Sequence, residues 1–521
     1  MHSRLWCRVS GASSALKPAE RDVRVTRGAS YLIIQNLGVN VVTVAAFVIL
    51  ARLISTREMG IYAILQLING VCVALFTWFP QAVTKFVAEN ISRGRRDAAA
   101  AIFYQALRAN LLIYLPVVAV TYLYAATLAS RLLGGMVYVS LVQILAVDLL
   151  FNPCILWVVT STLMGLGLFR EIAAVGLIVG GFLRQLLIIS LIVLMRSFLG
   201  LVMGWLISDA TSVALYLLLV LRALGPPRFD FPLTKLFRYY LPIEFASITN
   251  QGQNWFDRAL LAFFVPLATL GIYNAALTAF SVLTGVTAAI GNVLLPAYSS
   301  IERGTSGANT FSDAVRLATR YTCFTLIPLA FGLFAVAKPA LTLFVGESYV
   351  GGYTPLAILC GVLGITAFGQ ALAPVFLALE ETWIAASITG GTVLISLVVA
   401  YMLLPGWGII GASTGRALQM VLSTLLIFLV LRRKVTLRLE FGTIAKTTLA
   451  GAVMATVVLT IQVLAYSKWM LPVYALLGAV TYLVMLRLLR AVDESDLKML
   501  ERLLGKRMRL VSNFLGRLLI A

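Results

Sequence analysis

The chain has 521 residues, 60% hydrophobic and only 12% charged, with a mean hydropathy of +0.96. Soluble domains are roughly half apolar and about a quarter charged, so an ordinary soluble enzyme is excluded. The net charge of +20, from 41 Lys and Arg against 21 Asp and Glu, is separated by long apolar runs. It therefore indicates a polytopic membrane protein rather than a nucleic-acid binder.

In chain order, the tail 1–29 is polar and basic and lacks the apolar core and cleavage site of a signal peptide, so the first apolar segment is expected to stay as an anchor. A helix needs roughly 20 apolar residues to cross the hydrocarbon, and cuts at charged, Pro and Gly positions predict about fourteen spans. The first six run Ser30–Ile54, Ile61–Phe79, Ala101–Ala125, Met136–Thr160, Ile172–Met195 and Leu199–Leu221. After a linker at 223–238 come Tyr239–Phe264, Ile272–Ala297, Leu317–Ala337, Tyr353–Leu379, Ile384–Leu404 and Gly408–Leu431. Thr443–Tyr466 and Trp469–Leu488 complete the set. With the N-terminus inside, and with residues up to three positions from a span end counted in the adjoining loop, about 31 basic residues fall in inner loops, about 6 in outer loops and about 4 within spans, the segregation expected of correct cuts. Both termini are thus expected in the cytoplasm. Beyond Asp493, Leu497, Leu500, Leu504, Val511, Phe514 and Leu518 share a helical face, as an interfacial helix requires; a solvated tail is the alternative. The Asp493–Asp496 cluster reads as the cap of that helix.

The chemistry that is missing narrows the function. The one histidine, His2, lies in the tail, and Cys7, Cys72, Cys154, Cys323 and Cys360 stand singly. No metal centre, His-dependent catalysis or cofactor is expected. There is no GxxxxGK[ST] loop, so energy must come from a gradient or a partner.

An internal repeat is suggested by short matches at nearly constant offset. Gly60-Ile61-Tyr62 recurs at Gly271-Ile272-Tyr273, an offset of 211; Ile172-Ala173-Ala174 recurs at Ile384-Ala385-Ala386, offset 212; Gly180-Gly181 recurs at Gly390-Gly391, offset 210. Six spans separate the copies, which predicts two parallel six-helix bundles, residues 30–222 and 239–431, around a central cavity. Two added helices at 432–488 and a tail at 489–521 follow.

Charge inside a span costs roughly 2.5–3.5 kcal/mol at the helix centre, so such residues are expected to face a cavity or a partner. Asp148, Arg184, Asp209, Asp257, Arg258 and Arg416 lie inside the predicted spans, and Glu244 lies near an end of the seventh. Glu244, Ser247, Gln251, Asn254 and Arg258 follow the three-and-four spacing of one helical face. Shifted by the repeat, Ser247, Gln251 and Asn254 correspond to Asn36, Asn40 and Thr43, while Arg258 corresponds to Phe47. The first and seventh spans are therefore expected to face each other across the cavity. Candidate substrate contacts are Arg258, Arg184, Asn254, Gln251, Asn36, Asn40 and Arg416; candidate ion-coupling carboxylates are Asp148, Asp209, Glu244 and Asp257. Other readings stay open: Asn36, Asn40 and Asn254 could be interhelical glue, Arg184 could pair with Asp148 or Asp209, and Arg416 could snorkel. A kink is expected at Pro153.

The stretches ARLISTREMGIYAI (Ala51–Ile64), FDRALLAFFVPLATLGIYNAA (Phe256–Ala276), LLPAYSSIERG (Leu294–Gly304) and ALTLFVGESYVGGYTPLAIL (Ala340–Leu359) resemble the MOP superfamily of exporters. Within it they are similar to the polysaccharide-biosynthesis flippases that move polyprenyl-pyrophosphate-linked oligosaccharides. The resemblance extends in pattern from about Ser30 to Lys434 and implies a twelve-helix, two-lobed core with a cationic cavity. In fourteen-helix relatives the last two helices are thought to line a groove for the isoprenoid tail. The basic residues placed well inside spans, more than three residues from either end, are Arg108, Arg184, Arg258 and Arg416; all are arginines, which bind phosphate through several hydrogen bonds. A monomeric flippase in the cell membrane is thus expected. Its partners would be a lipid-linked glycan and membrane lipids, with proton or Na+ coupling and no nucleic acid. A multidrug or cation antiporter of the MATE type is the alternative within the fold. A membrane glycosyltransferase or polymerase is disfavoured, because no predicted outer loop exceeds about 15 residues.

Overall fold

The computed structural model describes residues 18–301, 305–435 and 437–493; the side chains of 18–29, 242–243, 245–247, 249–250, 253–254 and 305–309 are outside that description. The predicted tail helix, and with it His2 and Cys7, lies outside the described residues.

Among the described residues the regular structure is entirely helical. In chain order the helices are α1 (Pro18–Leu53), α2 (Thr56–Phe76), α3 (Pro80–Ser92), α4 (Arg96–Leu123), α5 (Ala125–Leu132), α6 (Met136–Gly165), α7 (Phe169–Met195), α8 (Leu199–Leu224) and α9 (Leu233–Phe264). They continue as α10 (Leu267–Ser299), α11 (Thr305–Phe344), α12 (Glu347–Ile365), α13 (Ala367–Ala378), α14 (Thr382–Lys434), α15 (Phe441–Leu464) and α16 (Lys468–Leu488). Twelve helices among the described residues are long and apolar enough to cross a membrane. Large apolar side chains such as Leu123, Leu194, Val463 and Leu476 stand exposed on them. That is the pattern of helices solvated by lipid, where apolar exposure carries no hydrophobic penalty.

The count of twelve departs from the expected fourteen at two places. The 53-residue α14 would be about 80 Å long if straight, far beyond the ~30 Å hydrocarbon core. Its backbone breaks at Gly408 (φ 51°, ψ −128°), three residues after Pro405, where the sequence placed the boundary between two spans. The other is α9, whose central side chains lie outside the described residues, so it does not enter the count.

The described residues pack as two compact units, Met1–Gly271 and Ile272–Ala521. This boundary falls beyond the 223–238 segment expected to separate the bundles. The reason is local: α9 packs on α2 rather than standing apart. Trp255 fills the notch over Gly70, where a Cβ would come within 2.5 Å of the indole. In the first unit α7 packs on α8, α3 on the end of α6, and α1 along α7. Its core is built on Phe79, Phe103, Val158, Tyr216 and Tyr240. In the second unit α11 is central, flanked by α12, α13, α15 and α16.

At the repeated Gly-Ile-Tyr motif the backbones touch. A Cβ on Gly60 would sit 1.8 Å from the Leu267 carbonyl oxygen, and one on Gly271 would sit 2.0 Å from the Thr56 carbonyl oxygen. Leu267 and Gly271 each lie 211 residues beyond Thr56 and Gly60, so the contact is reciprocal. Only glycine permits such an approach.

Candidate functional site

Two helices of the first unit widen inside the membrane. In α6 the segment Leu150–Leu156, containing Pro153, is π-helical; in α7 the segment Gly176–Leu183 is as well. Proline has no N–H to donate and its ring crowds the preceding turn. An extra residue per turn relieves that conflict, and such turns recur at functional positions. The kink expected at Pro153 is realised as this wide turn. In α7 glycine permits close approach, since a Cβ at Gly176 would lie 2.0 Å from the Gln35 amide nitrogen. The Ser208 hydroxyl donates to the Val179 carbonyl at 3.3 Å, satisfying part of the widened backbone.

A cavity of about 380 Å³ opens between α1 and these wide turns. Its polar lining includes Gln35, Asn36, Asn40, Asn152, Thr160, Arg184, Asp209 and Ser212; Leu32, Val39, Leu156 and Trp157 supply apolar wall. It lies wholly within the first unit. At its side, Arg184 Nη1 donates to Asp209 at 3.0 and 3.3 Å, and Asn152 Nδ2 donates to the second carboxylate oxygen at 2.8 Å. Asp209 is 2% exposed and Arg184 23%, so the guanidinium reaches the cavity while its counter-ion is sealed. Arg184 also lies over the Trp205 ring, 5.4 Å from its centroid. Asp148 is fully buried nearby and neither of its oxygens has a hydrogen-bond partner. It is close enough to feel the charges of Asp209 and Arg184.

The seventh predicted span approaches from α9. Arg258 rests over Trp255, 4.9 Å from the ring centroid, and its own N–H donates to Asp257 at 2.8 Å. Asp257 is fully buried. Both Arg184 and Arg258 act electrostatically on Tyr62, whose ring lies 5.7 Å from that of Trp205. Two of the predicted arginines, each on a tryptophan, are therefore brought toward one tyrosine, although Arg258 does not line the cavity. Gln251 is half-buried on α9, and the Asn254 side chain lies outside the described residues. Arg416 is half-buried on α14 in the second unit.

Glu244 belongs to a separate polar cluster. It is 5% exposed with Oε1 unpartnered, beside Tyr240. Tyr240 donates to the Thr77 carbonyl at 3.2 Å, and the Thr77 hydroxyl meets the Tyr114 hydroxyl at 2.8 Å. Here α2 ends and Phe79 takes a left-handed conformation (φ 77°) before Pro80 starts α3. Carbonyls freed in a membrane must be satisfied by side chains, and Asn110 supplies the bond to Trp78 at 3.1 Å. Sequence reasoning passed over Thr77, Asn110, Tyr114 and Tyr240. The signal available was the Trp78-Phe79-Pro80 breaker at the end of an apolar run. Reasoning from spans also missed Arg320, 6% exposed on α11. It donates to Glu440 at 2.6 Å and Asp493 at 2.7 Å. Asp493, expected to cap the tail helix, is thus engaged with Arg320.

The chain is 22% identical over 270 residues to the probable low-salt glycan biosynthesis flippase Agl15 of Haloferax volcanii, a stretch covering 51% of this chain and 57% of that protein. The fold is similar to that of the lipid II flippase MurJ in an inward closed conformation (TM-score 0.66, 13% identity, 88% of this chain and 97% of that one). It is also similar to a multidrug resistance MATE family transporter of the MOP superfamily in an inward-facing conformation (TM-score 0.61, 14% identity, 78% and 98%). Residues 49–352, more than half of the chain, match the model of one family. The chain is a multi-pass membrane protein and belongs to the polysaccharide biosynthesis protein family.

Proposed function

We propose that the protein moves a polyprenyl-(pyro)phosphate-linked oligosaccharide or related glycolipid from the cytoplasmic to the outer leaflet of the cell membrane. It does so by alternating access, as a transporter without catalytic chemistry, a monomer with both termini in the cytoplasm. The carrying observation is the intramembrane cavity lined by Asn36, Asn40, Asn152 and Arg184. Amide groups suit sugar hydroxyls. Arg184 keeps Nε and Nη2 free of protein hydrogen bonds while Nη1 is held by Asp209, so it is oriented and still has donors for a phosphate. Arg258 adds a second cation near Tyr62. Family membership and the glycan flippase and lipid II flippase likenesses support the same reading.

One observation favours a MATE-like cation antiporter instead: Asp209 and buried Asp148 offset the charge of Arg184. Under the flippase reading these carboxylates couple translocation to a proton or Na+. Asp148 is the stronger candidate, because a buried carboxyl without hydrogen-bond partners gains most from picking up either ion.

The test is translocation of a fluorescent polyprenyl-pyrophosphate sugar in reconstituted vesicles, followed by one-sided quenching. Transport is expected with the intact protein, falling at least about tenfold in Arg184→Ala and Arg258→Ala, the cost of ~1.4 kcal/mol in binding. Asp148→Asn is expected to abolish the response to an imposed ion gradient. Efflux of an organic cation without lipid movement would establish the antiporter reading; unchanged transport in both arginine variants would remove the cavity assignment.

A further inference from the structure

Away from the cavity, Lys85 in the middle of α3 and Lys235 at the start of α9 stand exposed over aromatic side chains at the edge of the first unit's core. Lys85 on α3 and Lys235 on α9 both point over the ring of Phe86, at 5.6 and 5.4 Å from its centroid. Lys85 is also 4.0 Å from the centroid of Tyr239, and Lys235 is 5.7 Å from that of Phe231. The three rings are contiguous, with centroids of Phe86 and Tyr239 5.4 Å apart and of Phe86 and Phe231 5.8 Å apart. Two exposed ammonium groups from different helices are thus seated on one aromatic wall.

Neither lysine has a carboxylate partner. Glu89, one turn from Lys85, is taken by Arg93 at 2.8 Å, and Asp97 is taken by Arg228 at 3.2 Å. Asp230 makes no ion pair with either lysine. Like charges held together without compensation repel, so the arrangement favours an incoming anion. It is also pre-organised. The segment carrying Phe229 and Phe231 is tied to α4 by the Tyr104 hydroxyl donating to Gly225 at 2.8 Å and by Gln105 donating to Phe229 at 2.7 Å. The ammonium groups lie on the ring faces, where cations are held without losing their own donors. Tyr239 is half-buried and its hydroxyl makes no hydrogen bond with the protein, which leaves a third donor beside the pair.

We propose that Lys85, Lys235 and Tyr239 form a capture site for the phosphate-bearing head of a lipid in the cytoplasmic leaflet, engaged before that head reaches the cavity. Naming that lipid as the transported glycolipid rests on the flippase reading; the anion site itself does not. Compact ammonium groups, each with three donors, suit first capture. The arginine on Asp209 suits a fixed, oriented bond deeper in the membrane.

The experiment uses the full chain in phosphatidylcholine nanodiscs, titrated with farnesyl pyrophosphate and, as the uncharged control, farnesol. Two lysines near a membrane surface contribute enough that Lys85→Gln with Lys235→Gln should weaken farnesyl pyrophosphate binding roughly ten- to thirtyfold. Farnesol binding should not change, and Lys85→Arg with Lys235→Arg should restore most of the affinity. Because both ammonium groups are exposed, thermal stability should stay at the wild-type value. Equal binding by the wild type and the glutamine pair overturns the site. Equally effective competition by phosphatidylglycerol overturns the assignment to a substrate head. In vesicles, a wild type that binds the pyrophosphate but moves no lipid-linked sugar refutes the flippase reading alone. A glutamine pair whose half-saturating sugar-lipid concentration equals that of the wild type refutes the capture role alone.

Discussion

Removing either member of the Arg184–Asp209 pair should destabilise the protein, and by unequal amounts. Breaking a buried ion pair by deleting one partner costs about 3–5 kcal/mol, because the other charge is left uncompensated. In Asp209→Asn the orphan is Arg184, 23% exposed to the cavity; water there recovers part of the cost, so about 2–3 kcal/mol is expected. In Arg184→Gln the orphan is Asp209, 2% exposed and close to a second buried carboxyl, Asp148. Its remaining hydrogen bond comes from Asn152 at 2.8 Å, and a cost of about 3–4 kcal/mol is expected. The double variant replaces the pair by two amides of similar shape and should lose less than the sum by about 2–3 kcal/mol. The assay is reversible unfolding of the purified protein in mixed micelles, read by tryptophan fluorescence. Single-variant costs that add to within about 0.5 kcal/mol in the double variant would show the two residues to be independent. A larger loss for Asp209→Asn than for Arg184→Gln would refute the burial argument.

Two further outcomes are expected. Gly60→Ala places a Cβ 1.8 Å from a backbone oxygen that cannot rotate away, so a loss of about 2–4 kcal/mol is expected. Gly180→Ala, with nothing within 4 Å of the added Cβ, should stay within about 0.5 kcal/mol; thermal melts of the two variants check the contrast. Arg320→Met removes the donor that joins α11 to Glu440 and Asp493 while leaving Arg316 on Glu440 at 3.4 Å. Hydrogen exchange should therefore rise at the start of α15 and over residues 488–493, with α11 itself unchanged; uniform exchange across the second unit would refute that local role.

The intramembrane charges were legible because hydrocarbon makes charge expensive: Asp148, Arg184, Asp209, Asp257 and Arg258 stand out in any apolar run. Their partners were not. Asp209 was one of two candidates for Arg184, and it is selected by how α7 and α8 pack. Arg320 escaped notice near the end of a span, where a basic residue reads as part of a loop. The Thr77–Tyr114–Tyr240 cluster escaped because hydroxyl groups cost little in a hydropathy count, while only the three-dimensional path of α2 into α3 reveals which carbonyls need them.

By itself the sequence determined the all-helical membrane character, the approximate spans and the polar face of α9, since bilayer thickness and the 3.6-residue helical period act locally on the chain. The tertiary structure decided what depends on residues far apart in sequence. It put the Asn, Arg and Asp side chains of α1, α6, α7 and α8 around one cavity, widened α6 and α7 into π-helical turns there, and docked α9 on α2 through Trp255 and Gly70. Those outcomes follow from close packing and from the need to satisfy every buried polar group, conditions that no single segment can meet alone.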